Sequence, residues 1–272
     1  MKTAPAVEFE GVSFAFDEHV ILQDVSFAIA NGTMTILLGE SGAGKSVTLK
    51  LILGLLRPDE GAIRVNGERV DTMREQELIR VRGDVGMVFQ ELALFDSLTV
   101  AENVGYRLSE EMRWPEAQVR ARVEDVLGFI GLGEFIDRMP SELSGGQRRR
   151  VAIARAVAPK PSLILFDDPT TGLDPIIAAT VNDEIVKLRD LENVTSIFVT
   201  QQIRDAFYIA THHAVRKDGR IEIVDTPEEG TAGAEFMLLR DAGIHFRGTA
   251  NQLMESEDKY LREFLYMTLP PW

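Results

Sequence analysis

The strongest constraint on the fold is a glycine-rich octapeptide, "GESGAGKS" at residues 39–46, between an apolar run and a stretch with helical spacing. It matches G-x-x-x-x-G-K-[S/T], the pattern of a loop that binds phosphate at a helix N-terminus. Glycines allow backbone N–H groups to turn toward phosphate oxygens, at the positive end of the helix dipole. In such a loop Lys45 would reach the β- and γ-phosphates and the Ser46 hydroxyl would bind Mg²⁺. The octapeptide therefore predicts nucleotide binding.

The pattern of apolar residues predicts an α/β chain around this loop. Alternating residues in "AVEFEGVSFAF" and "VILQDVSFAIA" indicate strands. Residues 92–159 are mostly helical in pattern, and strand–turn–helix alternation resumes with "SLILFDD" and "TSIFVT". We predict one domain over residues 1–272, with a nucleotide-binding core in 1–91 and 160–225, a helical lobe in 92–159, and an amphipathic C-terminal extension in 226–272.

Composition excludes several classes of protein. The 272 residues carry a formal net charge of −14, which argues against nucleic acid as the main partner. The absence of cysteine excludes disulfides and thiol catalysis. The first residues lack the apolar core of a signal peptide, and no apolar run approaches the ~18 residues of a membrane span. We expect a soluble, cytoplasmic protein.

Two adjacent acids end the apolar run "LILFDD". In nucleotide hydrolases with a phosphate loop, an aspartate such as Asp167 holds Mg²⁺ at the end of a strand. Asp168 would then polarise the water that attacks the γ-phosphate. Taken alone, Asp168 has an equally good second interpretation, in which its side chain caps the following turn with the help of Pro169.

A third motif identifies a family. "LSGGQ" at residues 143–147 precedes the helical pattern "RRRVAIARAVA" and is typical of a second anion-binding nest at a helix N-terminus. Six elements occur in order: Phe16, the octapeptide, Gln90 in "VFQ", "LSGGQ", "LILFDDP" and "TGLD" at residues 171–174. On these elements the chain resembles the ATP-binding-cassette (ABC) ATPases. The resemblance implies an α/β fold, with a P-loop NTPase core, an antiparallel β subdomain and an inserted helical lobe.

The resemblance also implies ATP and Mg²⁺ as cofactors, and a head-to-tail dimer with two ATP molecules between the copies. Phe16 would stack on adenine, although a core position in a strand is the alternative. The residues expected to contact ATP are Phe16, Gly39, Glu40, Ser41, Gly42, Ala43, Gly44, Lys45, Ser46, Val47, Ser144, Gly145, Gly146, Gln147 and Asp174. Those expected to act in catalysis are Lys45, Gln90, Asp168 and Gln201, and those expected to hold the metal are Ser46, Gln90 and Asp167.

Two positions depart from the family pattern, and both concern hydrolysis. Asp168 stands where the family has glutamate, so its carboxylate lies about 1 Å further back, and a misplacement of about 1 Å can cost ~10²-fold in rate. Gln201 in "FVTQQ" stands where the family has histidine, and glutamine cannot carry a positive charge. His212 and His213 are better explained by packing or surface roles than as replacements. We therefore predict intact binding and weakened hydrolysis.

Softer signals concern the subfamily. "MVFQELALFDSLTVAENV" and the C-terminal "FRGTANQLMESEDKYLREFL" resemble ATPases of Mla-type phospholipid transporters. That resemblance implies a membrane permease, an Mce protein and a STAS-domain protein as partners, and a peripheral location on the inner face of the membrane. Residues 92–98 would help to form the groove for the permease, or belong to the core of the lobe. The alternatives are a cassette for another solute and an ATP-gated regulatory protein like the cell-division cassettes. The C-terminal segment has a second interpretation, a generic amphipathic helix that covers the core.

Overall fold

The computed structural model describes residues 4–226 and 233–268. The described strands are β1 (Val7–Phe16), β2 (His19–Ile29), β3 (Met34–Leu38), β4 (Glu60–Val65), β5 (Glu68–Arg69), β6 (Val85–Val88), β7 (Leu163–Asp167), β8 (Thr195–Val199), β9 (His212–Lys217), β10 (Arg220–Asp225), β11 (Ala234–Arg240) and β12 (Gly243–Gly248). The described α-helices are α1 (Lys45–Ile52), α2 (Glu75–Gly83), α3 (Val100–Glu110), α4 (Glu116–Phe129), α5 (Gly145–Val157), α6 (Pro175–Glu192), α7 (Ile203–Thr211), α8 (Ala250–Met254) and α9 (Lys259–Thr268). Helix α2 is absent from the sequence-based prediction.

A six-stranded sheet forms the centre of the molecule, in the order β12-β11-β3-β8-β7-β6. Strands β11, β3, β8, β7 and β6 are parallel, and β12 adds an antiparallel edge. The four central strands β3, β8, β7 and β6 are mostly apolar because both faces of the sheet are covered. In β7, for example, Ile164 and Phe166 pack into one hydrophobic cluster while Leu163 and Leu165 pack into the other.

A second sheet, in the order β2-β1-β4-β5, is antiparallel and covers one face of the first. Its inward residues include Phe9 and Phe27, whose rings stack with centroids 4.4 Å apart. They share a hydrophobic cluster with Leu49 of α1. This layer is the antiparallel β subdomain expected from the sequence.

Helices α3, α4 and α5 pack on one another within the segment predicted to form a helical lobe, and α5 contacts β6 of the central sheet. Helix α3 begins at a capping box, in which the Thr99 hydroxyl accepts from the Glu102 N–H and the Glu102 carboxylate accepts from the Thr99 N–H. Val104, Val123 and Val151, one from each helix, are fully buried in the common cluster. The division of the chain into core, lobe and extension stays a prediction.

The C-terminal segment differs from the amphipathic pattern expected for residues 226–272. Strand β11, "AEFMLLR", inserts beside β3 and contributes to both hydrophobic clusters, with Phe236 in one and Met237 in the other. Residues 234–248 are strands of the central sheet, so the amphipathic description fails there. The stretch 246–265, for which an amphipathic helix over the core is the alternative, contains α8 and α9 with Leu253 and Leu261 buried, and that alternative stays open. Residues 227–232 and 269–272 lie outside the described part of the extension.

No helix within residues 4–226 and 233–268 combines the length and apolar character needed to cross a membrane.

Candidate functional site

The phosphate-loop residues join β3 to α1, as the octapeptide predicts. Gly42 and Gly44 have φ of 84° and 95°, a left-handed conformation that favours glycine. Gly39 has no room for a side chain, because a Cβ there would lie 2.8 Å from the Leu239 carbonyl oxygen of β11. The insertion of β11 thus supports the loop from behind.

Lys45, the first residue of α1, is buried and turns back over the loop. Its Nζ donates to the Gly39 carbonyl at 2.8 Å and to the Glu40 carbonyl at 2.9 Å. Burial lowers the pKa of Lys45, and the negative charges of Asp168 and Asp167 oppose that shift. The ammonium group therefore lies at the centre of the loop, close to the acid pair.

Ser46 and Asp167 meet at the edge of the central sheet. The Ser46 hydroxyl donates to Asp167 Oδ1 at 2.8 Å, although the two residues are 121 positions apart. Burial raises the pKa of Asp167, and the neighbouring charge of Asp168 adds to the shift. A hydroxyl and a carboxylate are oxygen ligands of the kind that Mg²⁺ prefers beside phosphates. These residues fit a magnesium ion, which would neutralise a carboxylate that burial disfavours.

Asp168 and Gln201, the two departures from the family pattern, contact each other. Asp168 is buried and has a left-handed φ of 46°. Its Oδ1 accepts from the Gln201 backbone N–H at 3.4 Å, and its own N–H donates to the Val199 carbonyl. The carbonyl of Asp168 accepts from the Thr171 N–H, so the backbone closes the following turn. The Asp168 carboxylate is thus hydrogen-bonded to the backbone of Gln201, in the segment between β8 and α7.

The "LSGGQ" segment starts α5. Ser144 is its N-cap: the Ser144 hydroxyl accepts from the Gln147 N–H at 3.3 Å, and Gln147 Oε1 accepts from the Ser144 N–H at 2.8 Å. The two glycines differ. A Cβ on Gly146 would lie 2.3 Å from Ile177 Cγ2, whereas one on Gly145 would meet Leu173 at an ordinary 3.6 Å. Gly146 is needed for close packing of α5 on α6, and Gly145 is open to a ligand.

Three further predicted site residues lie at the surface. Phe16 is 49% exposed at the end of β1, with its ring edge-on to Phe14. It is therefore not a core residue, and the alternative given above for it is wrong. Gln90 is exposed, and Asp174 caps α6 by accepting from the Ile176 and Ile177 N–H groups at 3.1 Å. The assigned contacts of these side chains with ATP, Mg²⁺ or a second copy stay predictions.

The remaining loop positions fall into two groups. The side chains of Ala43 and Val47 pack against the core, so contact with phosphate is left to their backbone N–H groups. Glu40, Ser41 and Gly42 are exposed along the outer edge of the loop. Glu40 Oε1 accepts from the Tyr260 hydroxyl of α9 at 3.0 Å, a contact that no sequence pattern indicated.

His212 and His213 are in β9, in the two-stranded β9–β10 sheet. His212 stacks on Tyr208, with ring centroids 3.9 Å apart, and its Nε2 lies 3.3 Å from an Asp225 carboxylate oxygen. These contacts agree with the packing role expected from the sequence.

Comparison with known proteins identifies the family. Residues 22–171 match the family model described as ABC transporter. The chain is 36% identical to the Fe(3+) ions import ATP-binding protein FbpC of Photorhabdus laumondii, over 88% of this chain and 67% of the relative. It is 40% identical to the methionine import ATP-binding protein MetN of Nocardia farcinica, over 93% of this chain and 78% of the relative. It is 39% identical to the sulfate/thiosulfate import ATP-binding protein CysA of Gloeobacter violaceus, over 94% and 71%. All three names denote import, and none supports the Mla-type assignment.

Solved structures agree on the fold. The ATP-binding cassette MJ0796, solved as a dimer in a post-hydrolysis state with ADP and phosphate, is 28% identical, with a TM-score of 0.71 over 89% of this chain and 98% of that one. The fold is also that of cbiO1 from Clostridium perfringens, with a TM-score of 0.77 over 98% of this chain and 96% of that one. The α/β fold class predicted from the sequence is therefore confirmed. The chain belongs to the ABC transporter ATPases, the cassettes that bind ATP with Mg²⁺ and couple its hydrolysis to transport.

Proposed function

We propose that this chain is the ATP-binding subunit that drives a membrane permease, and that it works as a head-to-tail dimer of two copies. The observation that carries the proposal is the meeting of Ser46 with Asp167 beside the buried ammonium group of Lys45. This arrangement offers a cation for the phosphates and oxygen ligands for Mg²⁺ within one loop and one strand end.

The residues have distinct roles in this proposal. The backbone of residues 39–47 and Lys45 bind the phosphates, while Ser46, Asp167 and Gln90 hold Mg²⁺. Asp168 receives the proton of the attacking water, and Gln201 donates to the γ-phosphate or orients that water. The Gln201 N–H bond to Asp168 keeps the last two residues in one unit.

The second copy supplies the other side of each nucleotide. Helix α5 offers the N–H groups of its first turn and the Ser144 hydroxyl, but this nest carries no lysine like Lys45. A head-to-tail pair would place the α5 N-terminus of one copy over the phosphate loop of the other. Asp174, next to this nest in the turn before α6, would lie at the same interface.

A groove at the junction of core and lobe supports docking of the permease. It has a volume of about 320 Å³, and Phe89, Phe95 and Tyr106 in its lining are 37–43% exposed. The rings of Phe95 and Tyr106 lie 4.6 Å apart and form one apolar surface. Phe95 belongs to residues 92–98, the segment expected at this interface. Docking here would hold the subunit at the inner face of the membrane.

The transported substrate is proposed from the relatives. Import of a small ion or amino acid agrees with the three relatives named above. Phospholipid transport with Mce and STAS-domain partners is the second candidate, and it depends on the resemblances of residues 87–104 and of the C-terminal motif. In that motif Thr249 and Asp258 cap α8 and α9. This capping role explains the two residues without a lipid-transport function.

The experiment places a photo-crosslinking amino acid at Phe95 in cells, with Ile79 of α2, which is 63% exposed, as the control site. We expect crosslinks to one integral membrane protein from position 95 and none from position 79. Transport is then measured in vesicles that hold this protein and the ATPase, with ferric iron, methionine, sulfate or labelled phospholipid. Crosslinks to a non-membrane protein alone would contradict the permease proposal and favour the regulatory alternative.

A further inference from the structure

Arg149 of α5 is buried deeply although it carries a charge, with a relative exposure of 5%. Its Nη1 donates to the Gln90 carbonyl at 2.6 Å and to the Phe89 carbonyl at 3.3 Å. Its Nη2 donates to the Thr171 carbonyl at 3.1 Å. One guanidinium group therefore joins the signature helix to the two segments that carry Gln90 and Asp174.

The position of Arg149 on its helix argues for a role beyond solubility. Residues three, four and seven positions later are Ala152, Ile153 and Ala156, and all three are buried. Arg149 thus lies on the apolar face of α5, where a charge is costly unless it is well hydrogen-bonded. Burial lowers the pKa of Arg149, and the negative charge of Asp168 opposes the shift. The guanidinium group therefore interacts electrostatically with Asp168.

The segment after Gln90 is strained, and α5 holds it at a second point. Leu92 and Ala93 have left-handed φ of 65° and 49°, a conformation that costs about 1–2 kcal/mol for a residue with a side chain. Arg155 donates to the Leu92 carbonyl at 3.0 Å and to the Ala93 carbonyl at 2.5 Å. Such strain persists only where surrounding contacts enforce it.

We propose that Arg149 is a positioning residue for ATP hydrolysis. It ties the backbone of Gln90 and of Thr171 to the helix whose N-terminus carries Ser144 and Gly145. A shift of α5 is then transmitted to both loops at once. This inference rests on the roles given above to Gln90 and Asp174, and it adds the residue that sets their distance from the phosphates.

The variant Arg149→Lys tests the proposal because it keeps the positive charge and removes the two planar N–H donor groups of the guanidinium. One ammonium group cannot reproduce the fixed, planar donor geometry that a guanidinium group offers to carbonyls in two segments. We expect single-turnover hydrolysis to fall about 10-fold or more, as loops misplaced by a fraction of an ångström lose rate steeply. ATP affinity should stay within about threefold, because Arg149 makes no contact with the phosphate loop.

Arg122→Gln is the matched control. Arg122 of α4 also donates to two carbonyls of the α5 segment, Val157 at 3.1 Å and Ala158 at 2.9 Å, but at the opposite end of the helix. We expect this variant to keep the wild-type rate at a temperature where both variants are folded. A fall in rate that is the same in both variants would show a general loss of packing and overturn the proposal.

Amide hydrogen exchange separates this inference from the proposed roles. The Leu92 and Leu173 amides donate to the carbonyls of Phe89 and Thr170. Their exchange rates therefore report on the two segments whose carbonyls Arg149 contacts. We expect Arg149→Lys to speed exchange at both amides, and Arg122→Gln to leave them unchanged. Unchanged exchange in Arg149→Lys would show that Arg149 does not hold the two segments, and would overturn the proposal. A different outcome is normal hydrolysis by Gln90→Ala and Asp174→Ala, together with faster exchange in Arg149→Lys. That outcome would keep the role of Arg149 in holding the two segments and contradict the proposed roles of the Gln90 and Asp174 side chains.

Discussion

The phosphate loop and the start of the signature helix are both glycine-containing helix N-termini, yet they differ in what a single chain completes. In the phosphate loop the lysine, the left-handed glycines, the Ser46 hydroxyl and Asp167 already lie together. At the start of α5, Ser144 and Gln147 bond to each other's backbone, and the residues of its first turn include no lysine like Lys45. In the proposed function, the first region is a complete phosphate site, while the second contributes to the site of a second copy.

The two regions are also supported differently. The phosphate loop rests on the C-terminal extension, through the Leu239 carbonyl and the hydrogen bond from Tyr260 to Glu40. The signature helix rests on α6, through the contact of Gly146 with Ile177, and on the carbonyls held by Arg149. Changes in the first region should alter nucleotide affinity, and changes in the second should alter dimerisation and turnover.

The largest effect is expected from Lys45→Ala. The Lys45 ammonium group donates to two carbonyls of the phosphate loop and would donate to the phosphates, and charge-assisted hydrogen bonds each contribute about 1.5–3 kcal/mol. ATP affinity measured by calorimetry should fall by about 30-fold or more. The unfolding midpoint without nucleotide is the control for folding. Equal affinity in variant and wild type would remove the phosphate-loop assignment.

Gly145→Asp should abolish the ATP-dependent dimer without unfolding the chain. A carboxylate at this open position would face the γ-phosphate of the other copy and repel it. Light scattering with ATP, in an Asp168→Asn background that preserves the nucleotide, should report a dimer for the parent and a monomer for the variant. Gly145→Ala is the control, because its Cβ meets Leu173 at an ordinary distance. The same mass with and without ATP in the parent would argue against the head-to-tail arrangement.

Gly146→Ala should act on stability rather than on the interface. Its Cβ would clash with Ile177 at 2.3 Å, and such overpacking costs about 1–3 kcal/mol of unfolding free energy. Urea unfolding should show this loss, and adding Ile177→Ala should recover part of it by removing the clashing atom. No loss in the single variant would mean that α5 and α6 pack less closely than the structure indicates.

Restoring the family residues should raise turnover without changing affinity. Asp168→Glu extends the base and Gln201→His returns a chargeable contact, so each should increase phosphate release by up to about 10-fold, or ~1.4 kcal/mol. The effects should not add, because the Gln201 backbone N–H holds the two residues together and both side chains are proposed to act on one water. The left-handed backbone at Asp168 favours aspartate over glutamate and should limit the first gain. If neither variant gains rate with the permease present, the site is not impaired.

Sequence reasoning predicted the phosphate loop and the acid pair because each consists of neighbouring residues in a short motif. It also placed strands in the core, since a strand buried on both faces is apolar throughout. It missed β11, whose apolar run "AEFMLLR" was grouped with an amphipathic tail, and whose partner β3 is 200 positions away. It also missed Arg149, although a charge on the apolar face of α5 was visible in the helical spacing. The partners of Arg149 are backbone carbonyls, and no sequence pattern predicts them because every residue type has a carbonyl.

The smallest effect is expected from Tyr260→Phe, which tests whether the extension supports the phosphate loop. Burial, and then the hydrogen bond to Glu40, raise the pKa of Tyr260 to about 12. The neutral phenol is thus the form that the fold favours, so its contribution to stability is complete below the ordinary value of 10.0 and is lost as the pH rises through about 12.

At pH 8 the variant should lose less than about 1 kcal/mol of unfolding free energy, because an exposed hydrogen bond contributes little. The difference from wild type should be smaller at pH 11 than at pH 8. Tyr266→Phe, at a side chain that is 84% exposed, is the control and should leave the unfolding free energy at pH 8 unchanged. ATP affinity should fall by less than about threefold, because Lys45 still holds the Glu40 carbonyl when the side-chain contact is gone. Because phenylalanine keeps the ring, equal stability of variant and wild type at both pH values would show that Tyr260 acts by packing alone, and that its hydrogen bond to Glu40 does not support the loop.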